Sequence, residues 1–70
     1  MNKAQRLKTG KKLRQLRKDA HLTQDELADK AQIDVTTVAR TERGDTSVTI
    51  DTASKLAKAL KVSLTDILGT

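Results

Sequence analysis

Val35, Thr36 and Arg40 are the residues whose chemistry fits ordinary helix building least well. They lie in the stretch "LTQDELADKAQIDVTTVARTERG", residues 22–44. A guanidinium can donate two parallel hydrogen bonds to O6 and N7 of guanine, and valine and threonine methyls can touch the thymine methyl. An exposed Val35-Thr36-Thr37 run is poor helix-forming material, so propensity does not explain it. With Val38 turned inward, Val35, Thr36 and Arg40 share the outer face of one helix. That is the chemistry of a surface that reads base edges.

Charge points the same way. The 70-residue chain carries a net charge of +5. Lys3, Arg6, Lys8, Lys11, Lys12, Arg14, Arg17 and Lys18 all precede Asp19, with no acid among them. A basic N-terminal segment on a near-neutral body suits a polyanion.

Catalysis finds no footing. One histidine, no cysteine and no glycine-rich phosphate loop leave no nucleophile or metal set. Asp25, Glu26 and Asp29 are explained as first-turn charges that compensate a helix dipole. His21 beside a helix end is structural, and "RGD" at 43–45 is incidental. No enzyme, cofactor, metal or small-molecule ligand is expected. Nor is a membrane span, because no apolar run is long enough. The lack of a signal segment favours the cytoplasm.

Five short helices must position these residues, giving an all-α fold. Leu13, Leu16 and Ala20 predict a first helix over about 9–20. Residues 1–8 form either a basic arm or an extension of that helix, ahead of a domain over 9–70. Thr23 with Glu26 is a capping box for the second helix, whose inward stripe is Leu27, Ala28 and Ala31. Asp34 caps the third, and Gly44 ends it in the left-handed position. Thr49 caps a fourth helix bearing Ile50, Ala53, Leu56, Ala57 and Leu60. Ser63 and Asp66 open a fifth, with Leu64, Ile67 and Leu68. The caps Thr23 and Asp34 stand only 11 positions apart. Two capped helices joined by so short a turn are the helix-turn-helix arrangement, in which the second helix enters the major groove.

The stretch "LRQLRKDAHLTQDELADKAQIDVTTVARTERG", with "LAKALKVSLTDIL" after it, resembles the phage repressor/Cro helix-turn-helix family. The resemblance covers about residues 9–68 and implies a lambda-repressor-like domain. It implies that Val35, Thr36 and Arg40 read bases, and that Thr23, Gln24, Thr37 and Arg43 touch backbone phosphate. It also implies a partly buried ion pair between Arg17 and Glu42. Departures are His21 and Gln32 where glycine is usual, Thr41 and Thr9 where apolar residues pack, and a "GDTSVT" loop without proline or cations.

The expected function is a sequence-specific DNA-binding transcriptional regulator, a repressor or autoregulator, acting as a homodimer on double-stranded DNA. Leu64, Ile67 and Leu68 are the expected dimer contact. The rival is a protein-interaction module, such as a coactivator-like bridge or an antitoxin, on the same fold.

Overall fold

The computed structural model describes residues 1–69, so the last residue of the expected domain lies outside the described residues. It contains α1 (Lys3–Asp19), α2 (Gln24–Ala31), α3 (Val35–Arg43), α4 (Ile50–Leu60) and α5 (Leu64–Leu68). No strand occurs among the described residues.

Each helix gives the core one large side chain that is wholly shielded from water. These are Leu13, Leu27, Val38, Leu56 and Ile67, in chain order. Small residues fill between them: Ala28, Ala31, Ala53 and Ala57, with Leu60 at the edge. Burying one aliphatic side chain contributes about 1.5–3 kcal/mol, so no helix can lose its member cheaply. Ala20, by contrast, is exposed beyond the end of α1.

The first two turns of α1 are the helix extension rather than an arm. Asn2 and Gln5 make a capping box: Oδ1 of Asn2 accepts from the Gln5 amide at 2.8 Å, and the Asn2 amide donates to Oε1 of Gln5 at 3.0 Å. This signal stands in the sequence as Asn-x-x-Gln but lacks an apolar run behind it. Leu7 leans on the end of α3 instead of the main core. A Cβ on Gly44 would lie 2.7 Å from Leu7 Cδ2, and Arg6 Nε donates to the Gly44 carbonyl at 3.2 Å. Gly44 also sits at φ 76°, so both space and backbone require glycine there.

Three of the connections repeat one another. His21-Leu22-Thr23, Gln32-Ile33-Asp34 and Lys61-Val62-Ser63 each pass from a left-handed residue, through a half-buried apolar one, to the N-cap of the next helix. The apolar residue's amide reaches back five residues to a helix carbonyl, as Leu22 to Arg17 at 3.1 Å, Ile33 to Ala28 at 3.0 Å and Val62 to Ala57 at 3.0 Å. This is the Schellman ending, with its apolar contact supplied by Leu22, Ile33 and Val62. His21 and Gln32, where glycine is usual, do take the left-handed backbone, and Lys61 is a third such residue.

The caps follow expectation except at Asp34. Thr23 and Glu26 exchange hydrogen bonds at 2.8 and 3.1 Å, as do Ser63 and Asp66 at 3.0 and 3.2 Å. The Thr23 amide and hydroxyl, with Lys30 adding less, hold the Glu26 carboxyl below its ordinary range. Asp34 has extended backbone at the N-cap but makes no side-chain cap bond. That corrects its expected role, and the first turn of α3 keeps amides free of an internal partner.

Candidate nucleic-acid interface

The two faces of α3 divide cleanly. Val38 and Thr41 point inward and are buried. Thr41 is tolerated there because its hydroxyl donates to the Thr37 carbonyl one turn back, at 2.7 Å. A buried hydroxyl so bonded avoids the penalty of an unpaired one. On the other side Val35 is 40% exposed, and Thr36 and Arg40 are exposed too. No ion pair among the described residues involves Arg40. Its charge is free for a ligand.

A groove runs beside this face. Asp34, Thr36, Thr37 and Arg40 line it from the α3 side, and Thr46, Ser47, Val48, Thr49 and Thr52 line it from the loop and α4. The loop after α3 and the start of α4 therefore flank α3 with hydroxyls instead of cations. The missing basic residues are plain in the sequence, but the only signal of this hydroxyl wall is the density of Ser and Thr in "DTSVT". Hydroxyls can donate to phosphate oxygens and position a duplex without specifying sequence.

The expected phosphate contacts are placed unevenly. The Thr23 hydroxyl is engaged in its own capping box, accepting the Glu26 amide and bonding the Glu26 carboxylate. Thr37 is half-buried at the groove. Arg43 is exposed, and its Nε donates to Asp45 at 2.9 Å. Exposed pairs of this kind contribute little and exchange readily, so the remaining guanidinium donors stay accessible.

Gln24 belongs to a network that joins three helices. Glu42, whose side chain is 4% exposed, accepts from Arg17 Nε at 2.7 Å and Nη2 at 3.1 Å. Arg17 Nη1 donates to the Leu22 carbonyl at 2.8 Å, and Gln24 Nε2 donates to Glu42 Oε1 at 3.1 Å. The Arg17–Glu42 pair thus ties α1 to α3 as expected, and it reaches the start of α2 as well. Of the other cations on α1, Arg6 is spent on carbonyls, while Lys3, Lys8, Lys11, Lys12, Arg14 and Lys18 are exposed.

One expected site residue must be withdrawn. Ile67 has no exposed surface and is the contribution of α5 to the core, so it is not open to a second copy of the chain. Leu64 and Leu68 are half-buried against that core. The exposed apolar surface lies beside them, where Met1, Val48, Ile50 and Leu68 share a shallow concavity with Gln5 and Lys8. Ile50 is 63% exposed, the most open large apolar side chain described.

A short bracing helix, a tight turn and a second helix with a free, cation-bearing outer face define a helix-turn-helix DNA-binding domain. Residues 13–67 match the helix-turn-helix family HTH_3, and the chain belongs to that family. The chain is similar to three solved structures. The restriction-modification controller protein C.AhdI from Aeromonas hydrophila is 34% identical, with a TM-score of 0.89 over 91% of this chain and 97% of that one. The clp gene regulator ClgR from C. glutamicum is 30% identical, with a TM-score of 0.83 over 90% and 82%. An HTH_3 family transcriptional regulator from Vibrio cholerae is 26% identical, with a TM-score of 0.91 over 99% of this chain but 39% of that longer one. No curated protein matches the chain by sequence. No described helix is long and apolar enough to cross a membrane. The protein is a DNA-binding transcriptional regulator of the helix-turn-helix class.

Proposed function

We propose that the chain is a sequence-specific repressor or autoregulator that reads the major groove of a two-fold operator with α3, in the cytoplasm. The observation that carries this reading is the exposed, unpaired face of Val35, Thr36 and Arg40 opposite buried Val38 and Thr41. The regulatory roles named for the similar structures support it. Selection of bound sites from a random duplex pool, followed by affinity measurements over a range of salt, tests it. A preferred site and a steep salt slope are expected, because neutralised phosphates release counterions. A chain that binds no duplex at any salt would be a protein-interaction module instead. Arg40→Ala should weaken binding to the selected site by about 1–3 kcal/mol and relax the preference at one base pair per half-site. An unchanged site preference would remove Arg40 from the reading set.

Two-fold reading requires two copies of α3 spaced about 34–36 Å apart. We place the contact at Met1, Val48, Ile50, Leu68 and the neighbouring Leu64. A two-fold contact uses the same patch on both copies. Gln5 and Lys8 border this patch with polar groups. The patch is small, and dimers in solution should be micromolar or weaker, as an order of magnitude. Ile50→Asp should abolish cooperative loading of two half-sites and leave half-site binding and the monomer fold intact. Footprints on one and two half-sites decide it, and persistent cooperativity would put the contact elsewhere.

A further inference from the structure

We propose that Glu42 is a positioning residue for DNA binding, fixing which end of the Gln24 amide faces the duplex. The inference rests on the reading of Gln24 as a phosphate contact. A glutamine amide carries two donors on Nε2 and an acceptor on Oε1, and it can turn over so that either end faces outward. Phosphate oxygens only accept. A useful contact therefore needs an N–H directed outward, and an outward carbonyl would repel the phosphate.

Ionised Glu42 also only accepts, so it selects the Nε2 end of Gln24, which it holds at 3.1 Å. One N–H is used on Glu42 Oε1, and the second remains on a half-buried side chain at the first turn of α2. Arg17 keeps the selection in place. Its Nε and Nη2 hold both Glu42 oxygens, and its Nη1 holds the Leu22 carbonyl just before the cap of α2. The carboxylate cannot turn away from Gln24 without breaking a bidentate charge-assisted pair. Arg17 and Glu42 then do more than fasten α1 to α3: they preset a neutral donor before any duplex arrives.

The inference makes a prediction opposite in sign to electrostatics alone. Glu42→Gln removes a negative charge from a protein that binds a polyanion, which by charge alone should tighten binding and steepen its salt slope. With Glu42 as the positioning group, the substitution instead lets the Gln24 amide turn over. Binding to the selected site and to a scrambled duplex should then weaken by the same factor, roughly three- to tenfold for one hydrogen bond. In a Gln24→Ala background, Glu42→Gln should cost less than roughly twofold further, because there is no amide left to orient. Glu42→Asp serves as a second variant that keeps the charge for Arg17 but withdraws it from Gln24, and it should weaken binding in the same coupled way. All measurements use protein shown to be folded by circular dichroism at the binding temperature.

Tighter binding by Glu42→Gln, or an equal loss in both backgrounds, overturns the positioning role and leaves the proposed function standing. So does a Gln24→Ala protein with unweakened binding. Failure of the unaltered chain to bind any duplex defeats the function and this inference together.

Discussion

Gly10→Ala is expected to destabilise the domain by about 3 kcal/mol or more, at or beyond the upper end of overpacking costs. Propensity alone predicts the opposite, since glycine inside a helix is about 1 kcal/mol worse than alanine. Close approach decides the sign. At Gly10, α1 crosses α3 so tightly that an added Cβ would lie 2.5 Å from the Thr41 carbonyl oxygen and 2.6 Å from that of Glu42. Both are backbone atoms of a helix and cannot swing aside as a side-chain end could. The helices must separate, and separation pulls on the Arg17–Glu42 pair and on the contact of Leu7 with Gly44. A domain of this length has roughly 4–10 kcal/mol of stability in all, at about 0.05–0.15 kcal/mol per residue. Urea unfolding of the two proteins measures the loss. A Gly10→Ala protein as stable as the parent would mean that α1 and α3 do not meet at this distance.

The second large effect is at the ion pair. Glu42→Ala leaves the Arg17 side chain, 12% exposed, without its carboxylate, and breaking a buried pair from one side costs about 3–5 kcal/mol. Arg17→Ala strands Glu42 in the same way. The two singles should not add: replacing both with apolar residues, as in Arg17→Met with Glu42→Leu, should cost less than either single change. The loss of both leaves no unpaired charge in the interior, only the half-buried Leu22 carbonyl and Gln24 amide that they had bonded. A double-mutant cycle by urea unfolding reads the coupling, and additive losses would mean that water reaches the pair freely.

Much of the architecture was legible because it rests on local chemistry. The hydroxyl caps Thr23, Thr49 and Ser63 each satisfy an orphan amide within three residues, so their spacing alone announces a helix start. Gly44 announces a helix end for the same reason. What stayed illegible depends on residues far apart in the chain. Nothing near Gly10 reveals that a carbonyl from position 41 lies against it. Helical spacing places Leu64, Ile67 and Leu68 together, but which of the three the core takes depends on where α1 and α4 leave room. Asp34 shows the limit of local rules: it has the right type and backbone for a cap, yet its carboxylate makes no such bond. On α3 the split between Val38 and the Val35–Arg40 face was visible from periodicity. The hydroxyl wall across the groove was not, because the loop that carries it has no period.

The three matching turns show how the folded and unfolded chains share the cost of a left-handed residue. A non-glycine residue in the left-handed region costs roughly 1 kcal/mol, and His21, Gln32 and Lys61 all occupy it. Glycine at each turn would remove that strain, but it would also free the unfolded chain by roughly 0.5–1 kcal/mol of backbone entropy per residue. The two effects oppose each other, so these turns hold ordinary side chains at little net loss of stability.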